Sequence, residues 1–349
     1  MKRSLYLLAG VPLMAALTAC TSDSGSEVTP ADKVAVQFRA ADIASRASVI
    51  TNDNIKGNPF AVWGDMVLTD KVGTSTPSVL FNGTPVSYKG SGAEAAWQYD
   101  DLQYWFPSHS YSFVALCPIG AVDATYANSG ISFSYNYPES YQDVKDVLVA
   151  THRRDYQFGK GQSTVGLNFR HVFSRINFVA NFDDSSPNTS SVTINHITLR
   201  GVGVDGNFAI TPASISTGSM TDDAAEASAS LWSTPTTTGT IFDRSVNITL
   251  DKDNNRYEFF NVNTDPLIVI PQTLTGEVEV EITYTPSNQA SKTVTSYLLP
   301  TAVAAHGGMW LPGQSYTYSF TVGADEIIIF NTPVTGDWNQ SEGANFIII

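Results

Sequence analysis

Hydrophobic and polar residues alternate along most of the chain from residue 34 onward. An alternation with a period of two is typical of β-strands that bury one face. Turn-forming residues separate these short segments, and only two weak helical patches, 141–144 and 221–230, interrupt them. The pattern predicts an all-β protein with strands near 34–38, 113–117, 131–135, 165–169, 176–182, 192–199, 208–210, 246–250, 257–259, 278–284 and 316–322.

A turn-rich stretch lies near the middle of the chain. The sequence Asp183-Asp-Ser-Ser-Pro-Asn188 contains no apolar residue and follows the clearest strand of the first half. Such a stretch is typical of a linker. We therefore predict two antiparallel β-sandwich domains in tandem, an N-terminal one over 34–185 and a C-terminal one over 186–349.

The charge balance limits the possible partners. The 349 residues include 19 basic and 33 acidic ones, which gives a formal net charge of −14, and only 15% of the residues are charged. A phosphate backbone is repelled by such a surface, and no stripe of arginine or lysine offsets the repulsion. Nucleic acid is therefore excluded as a partner.

The first residues have the features of an export signal. Lys2 and Arg3 precede an apolar run that is too short to span a bilayer as a mature helix. The run ends in Leu17-Thr18-Ala19-Cys20, which resembles the lipobox of bacterial lipoproteins. The resemblance implies a signal peptide over 1–19, lipidation of Cys20 with palmitate-type acyl chains and anchoring in the outer membrane. The polar segment 20–33 is predicted to be a flexible tether.

No pattern of catalytic, cofactor-binding or metal-binding residues emerges from the sequence. Gly201-Val-Gly-Val-Asp-Gly206 matches a dinucleotide motif in letters, but a further strand and a proline follow it where a helix is required. Asp251-Lys-Asp-Asn-Asn255 begins like a calcium loop, lacks the later ligands, and is interpreted as a hairpin turn. The five histidines are scattered, and Cys117 is predicted to be a small buried residue. We therefore predict no enzymatic activity.

Several segments, taken in order, resemble the fimbrillin-like lipoproteins of the Bacteroidetes, which form surface pili. The segments are Ala44-Ser-Arg46-Ala47, Phe60-Ala-Val-Trp-Gly-Asp65, Trp97 with Tyr104-Trp-Phe-Pro107, 111–118, 146–150, Leu167-Asn-Phe-Arg-His171 with Ile176, Ile268-Val-Ile-Pro271-Gln272, Trp310-Leu-Pro-Gly313 with Tyr316 and Tyr318, and Val334-Thr-Gly-Asp-Trp338. Their aromatic residues and His171 are interpreted as core residues rather than ligands.

The resemblance implies a pilus subunit with two transthyretin-like sandwiches that joins other fimbrial subunits by β-strand addition. A short strand can fill the groove of an incomplete sandwich until a partner's strand replaces it. The hypothesis assigns Val34, Val36 and Phe38 to this plug strand and places a trypsin-like cleavage between Arg46 and Ala47. The apolar tail Phe346, Ile347, Ile348 and Ile349 is the candidate donor strand.

A second interpretation stays open. The chain could be a surface lipoprotein that does not polymerise and instead binds glycans or host ligands through exposed aromatic side chains. Filaments are expected only of the first interpretation.

Overall fold

The structure is a computed structural model that describes residues 34–41, 50, 54–155, 164–183, 190–210, 231–260, 265–298, 303, 307–323, 329–330 and 333–337. In this part of the chain the only helices are single 3-10 turns, at Ile55–Gly57, Thr69–Lys71, Gly92–Glu94 and Tyr141–Asp143. The last of these corresponds to the first weak helical patch, and the second patch lies outside the described residues. None of the described helices is long and apolar enough to cross a membrane.

Strands account for the regular structure, as the alternation predicts. In the first half they are β1 Gln37–Ala41, β2 Phe60–Leu68, β3 Ser78–Lys89, β4 Ala96–Gln98, β5 His109–Cys117, β6 Thr125–Ala127, β7 Gly130–Asn136, β8 Leu148–Asp155, β9 Thr164–Asn168, β10 Arg170–His171 and β11 Ser174–Phe182. In the second half they are β12 Ser191–Arg200, β13 Val202–Gly203, β14 Asp205–Ile210, β15 Thr238–Gly239, β16 Phe242–Asp251, β17 Arg256–Glu258, β18 Leu267–Val269, β19 Gln272–Thr273, β20 Glu279–Pro286, β21 Lys292–Tyr297, β22 Met309–Trp310, β23 Gln314–Val322, β24 Ile329–Phe330 and β25 Val334–Asp337.

Three large sheets contain most of these strands. The first has the order β10-β8-β5-β2-β3-β4. The second has the order β17-β11-β23-β24, with β18 also on β11 and β25 also on β23. The third has the order β16-β12-β20-β21. Neighbours within these sheets are antiparallel except β11 and β23, which run parallel. The all-β fold is thus confirmed, and the parallel pair is a feature that the sequence pattern does not predict.

The predicted hairpin at 251–255 is wrong in its pairing, although the turn itself is present. The Asp251 carboxylate accepts hydrogen bonds from the backbone N–H groups of Asp253, at 2.9 Å, and Asn254, at 2.7 Å. The strands on either side belong to different sheets, because β16 pairs with β12 and β17 pairs with β11. The turn therefore carries the chain from one sheet to another.

The buried side chains form three cores. The first core lies on one face of the first sheet and includes Phe60, Val62, Phe113 and Leu148. The second core lies between the second and third sheets and includes Ile176, Phe178, Val192, Leu199, Ile282 and Tyr318. The third core lies on the opposite face of the first sheet and includes Ala61, Trp63, Val114, Phe133, Phe208 and Trp232.

Strands from both halves of the chain meet at the third core. There β14 pairs with β7 in an antiparallel ladder, and the indole N–H of Trp232 donates to the carbonyl oxygen of Val172 at 2.7 Å. The division into domains 34–185 and 186–349 stays a prediction.

Candidate functional site

Strand β1 occupies one side of the first core. It pairs with β9 in parallel register, with Phe38 opposite Val165, and these two strands form a sheet of their own. Val36 and Phe38 are buried, whereas 40% of the surface of Val34 is exposed. The alternation that places side chains in the core therefore begins at Val36, two residues later than the sequence predicts.

The Phe38 ring is the main inward contact of β1. Its centroid lies 5.2 Å from that of Phe81, 5.7 Å from that of Tyr99 and 5.8 Å from that of Phe113. Aromatic pairs at such separations add to the stabilisation that burial provides. Phe38 therefore fills a pocket whose other walls come from the first sheet and from the loop that follows β4.

The backbone next to β1 is held by hydrogen bonds from this same loop. The N–H of Val36 donates to the carbonyl oxygen of Gln103 at 2.9 Å. The hydroxyl of Tyr99 donates to the carbonyl oxygen of Val36 at 2.7 Å, and burial raises the pKa of that hydroxyl. Within the described residues β1 pairs along its length only with β9, so a loop rather than a second strand covers its other side.

The chain returns to the first core at Ile50, where a buried carboxylate holds it. The N–H of Ile50 donates to Asp146 Oδ2 at 3.1 Å. The other oxygen, Oδ1, lies 2.8 Å from Nδ1 of His171, and both side chains are almost fully buried. His171 is therefore a hydrogen-bonded core residue, as the sequence analysis predicts, but its carboxylate partner was not identified there.

Cys117 lies near this pair and is buried. Burial raises the pKa of its thiol to about 12, and the charge of Asp146 adds to the rise. A thiol with such a pKa stays protonated near neutral pH and is a poor nucleophile. Its interpretation as a small core residue is confirmed. In the described part of the chain no three His, Cys, Asp or Glu side chains come together as a metal site would require.

Three of the predicted sites lie outside the described residues. They are the lipidation site Cys20, the cleavage site formed by Arg46 and Ala47, and the donor strand of Phe346, Ile347, Ile348 and Ile349. Their roles remain predictions from the sequence.

The glycine motif at 201–206 is mostly strand, and the only bend in it is at Gly201, between β12 and β13. β13 begins at Val202 and β14 at Asp205. A strand therefore stands where a dinucleotide-binding motif would require a helix. Gly201 has a φ of +74°, and a Cβ there would lie 2.3 Å from the carbonyl oxygen of Glu277. The first glycine is therefore explained by a close backbone approach and not by a phosphate.

Gly276 offers a matched control for this contact, because it has a φ of +84° and open space where a Cβ would lie. We expect Gly201→Ala to lower the free energy of unfolding by about 1–3 kcal/mol more than Gly276→Ala, since both variants strain φ but only the first creates a clash. Chemical denaturation of both variants measures the difference. Equal losses would show that the contact with Glu277 is unimportant.

Most aromatic residues of the quoted motifs pack inside the protein, and Phe106 is an exception with 45% of its surface exposed. Trp105, Trp310, Tyr316 and Tyr318 are buried. Trp97 is half-buried, with its ring centroid 4.8 Å from that of Phe60. No tryptophan among the described residues is exposed, so an exposed tryptophan platform for glycans is not found there.

A model of the fimbrillin-like family matches residues 45–338. The chain belongs to the fimbrillin-like family. The resemblance derived from the sequence is thereby confirmed. The family is a structural and adhesive fimbrial family and not an enzymatic one.

A solved structure of a fimbrial protein has a similar fold. A fimbrial protein from Bacteroides vulgatus ATCC 8482 aligns with a TM-score of 0.60 and 14% identity, covering 87% of this chain and 99% of its own. The tip fimbrial protein Mfa3 from Porphyromonas gingivalis, with a C-terminal truncation, aligns with a TM-score of 0.41 and 11% identity, covering 88% and 99%. No curated protein matches the chain. At these identities the comparison with the first structure supports the fold alone.

Proposed function

We propose that this fimbrillin-like chain is a structural or adhesive subunit of a bacterial surface fimbrium, exported as an outer-membrane lipoprotein and assembled by protease-triggered strand exchange. The observation that carries the proposal is the burial of β1 against the first core. β1 is a short strand whose inward side chains belong to the first core, and the connection that follows it contains Arg46. Cleavage there would separate the strand covalently from the rest of the fold.

Removal of β1 would leave a site that suits another strand. The buried positions of Val36 and Phe38 would open to water, and the edge of β9 would lose its partner. Full burial of each such side chain contributes roughly 1.5–3 kcal/mol, and exposed strand edges readily pair with other chains. A strand from a second subunit would recover both contributions, which favours assembly over an open groove.

The proposed donor is the tail formed by Phe346, Ile347, Ile348 and Ile349. Its four consecutive apolar residues have the β-branched and aromatic composition that is favoured in strands. Partners in this scheme are other fimbrial subunits, the outer membrane through the lipid on Cys20, and surface ligands of host or bacterial cells.

Removal of the cleavage site tests the assembly step. We expect Arg46→Ala to prevent processing, so that filaments are lost and Ala47 is absent as the N-terminal residue of protein recovered from cells. Arg244→Ala is the control, because it removes an arginine that lies in β16 and pairs with Asp265. Electron microscopy of sheared surface material and N-terminal sequencing are the measurements. Normal filaments from Arg46→Ala would refute the plug mechanism, and wild-type protein that never forms filaments would favour the glycan-binding alternative.

Replacement of Cys20 tests the anchor separately. We expect Cys20→Ser to abolish incorporation of labelled palmitate and to release the protein from the membrane fraction, because several acyl chains are needed for stable anchoring. Lipid labelling in cells measures this directly, with Cys117→Ser as the control for loss of the other thiol. Undiminished labelling of Cys20→Ser would exclude lipidation at this position.

A further inference from the structure

Asp146 uses its two carboxylate oxygens for different purposes. Oδ1 pairs with Nδ1 of His171 at 2.8 Å, and Oδ2 accepts the hydrogen bond from the N–H of Ile50 at 3.1 Å. His171 lies in β10, which pairs with β8 directly after Asp146. Ile50, by contrast, belongs to no strand. The carboxylate thus ties Ile50 to the edge of the first sheet.

The burial of Asp146 makes this contact a strong one. Only 6% of the Asp146 surface is exposed, and a carboxylate is costly to bury unless hydrogen bonds compensate for lost water. Hydrogen bonds to a charged acceptor are roughly twice as strong as those between neutral groups. Stabilisation of β8 and β10 would require only the His171 contact, so the bond to Ile50 calls for a separate explanation.

The position of Ile50 in the chain suggests that explanation. β1 ends at Ala41, and Ile50 follows it after eight intervening residues, 42–49. Phe38 and Ile50 are both buried in the first core. The chain is therefore fastened to the same core on both sides of the proposed cleavage site.

We infer that Asp146, oriented by His171, is a positioning residue that fixes the chain at Ile50 and thereby keeps β1 in its groove until the connection is cut. This inference rests on the proposed function of β1 as a plug. A short tether between two fixed ends maintains a high effective concentration of the strand at its site, and a longer tether lowers it. After a cut, the same contact would hold the new N-terminal segment in place while β1 leaves.

Hydrogen exchange of the purified, uncut full chain tests the inference. We expect Asp146→Ala to accelerate exchange of the Ile50 amide by about 10-fold or more, as expected for loss of a hydrogen bond to a charged group. Exchange in β1 should also accelerate, while exchange in β11 and β23 should be unchanged. Asp146→Asn retains a hydrogen-bond acceptor and should show a smaller acceleration of exchange at Ile50. This variant is measured in place of Asp146→Ala if the alanine variant does not fold.

Asp65→Ala is the matched control. Asp65 is also a buried carboxylate of the first sheet, 5% exposed, and it accepts hydrogen bonds from the hydroxyls of Tyr126, at 2.8 Å, and Ser129. Unchanged exchange at Ile50 in the Asp146 variants, or an equal change in Asp65→Ala, would overturn the inference. The assay involves neither protease nor filaments. Failure of the plug mechanism would therefore appear in the Arg46→Ala experiment, and failure of the positioning role would appear here.

Discussion

Phe38→Ala is expected to lower the free energy of unfolding of the first core by about 3–5 kcal/mol, the range found when a buried phenylalanine is truncated. The ring contacts Phe81, Tyr99 and Phe113, and these neighbours belong to strands or loops that are held by other contacts. They cannot collapse into the vacated space without moving the first sheet. The cavity should therefore remain, and β1 should lose most of its inward contact.

Gln37→Ala is the control for this variant, since Gln37 is the preceding residue of the same strand and is exposed. We expect its effect to be within about 0.5 kcal/mol, as for most surface substitutions. Chemical denaturation measures both losses, and hydrogen exchange in β1 shows whether the strand itself has loosened. If β1 is a plug, Phe38→Ala should also form polymers more readily than the wild type while still uncut. A loss for Phe38→Ala as small as that for Gln37→Ala would mean that the strand contributes little to the core.

Trp310→Ala is expected to have a comparable effect in the second core, about 3–5 kcal/mol. Trp310 is fully buried, and its indole N–H donates to the hydroxyl of Tyr318 at 2.8 Å. Truncation would remove the largest side chain of this core and leave the Tyr318 hydroxyl without its donor. The wild-type environment already raises the pKa of Tyr318 through burial, so an unsatisfied hydroxyl there would be costly.

Trp310→Phe separates the two contributions, because it retains an aromatic ring and removes only the indole donor and part of the volume. We expect a loss of about 1–3 kcal/mol for this variant, less than that for alanine. Denaturation midpoints with fluorescence of the remaining tryptophans give both values. Identical losses for the two variants would indicate that the hydrogen bond to Tyr318, and not packing, accounts for the effect.

The alternation of the sequence was sufficient to predict strands that bury one face. Val280, Ile282 and Tyr284 alternate in β20, and all three are buried while the residues between them are half-exposed. The prediction works there because the third sheet has one core on one side. The family segments added the position of Trp310, which the structure places in the second core.

Alternation could not predict strands that are covered on both faces. Phe60 and Val62 enter the first core, while Ala61 and Trp63 between them enter the third. A continuous apolar run is compatible with several structures, and only the tertiary fold decides among them. β3 was missed for another reason, since Gly83 and Pro85 interrupt its pattern and its register with β2 shifts.

The candidate site was predicted in part. Burial of Phe38 followed from its pattern, but its parallel partner β9 lies far along the chain, and no local signal in either strand specifies such pairing. His171 was predicted to be a bonded core residue, yet its partner Asp146 is 25 residues away and the contact with Ile50 spans 96. Contacts of this kind depend on the arrangement of the sheets, and the spacing of residues along the sequence does not reveal them.

The ladder between β7 and β14 has a consequence for a subunit under tension. It joins six residue pairs, from Asp205 opposite Asn136 to Ile210 opposite Ile131, across the two halves of the chain. A pull that draws β7 away from β14 must break this ladder and expose the third core to water. A cell-surface fibre built from such subunits would therefore resist extension under flow. It would lengthen only at forces that separate Phe133 from Phe208, whose ring centroids are 4.8 Å apart.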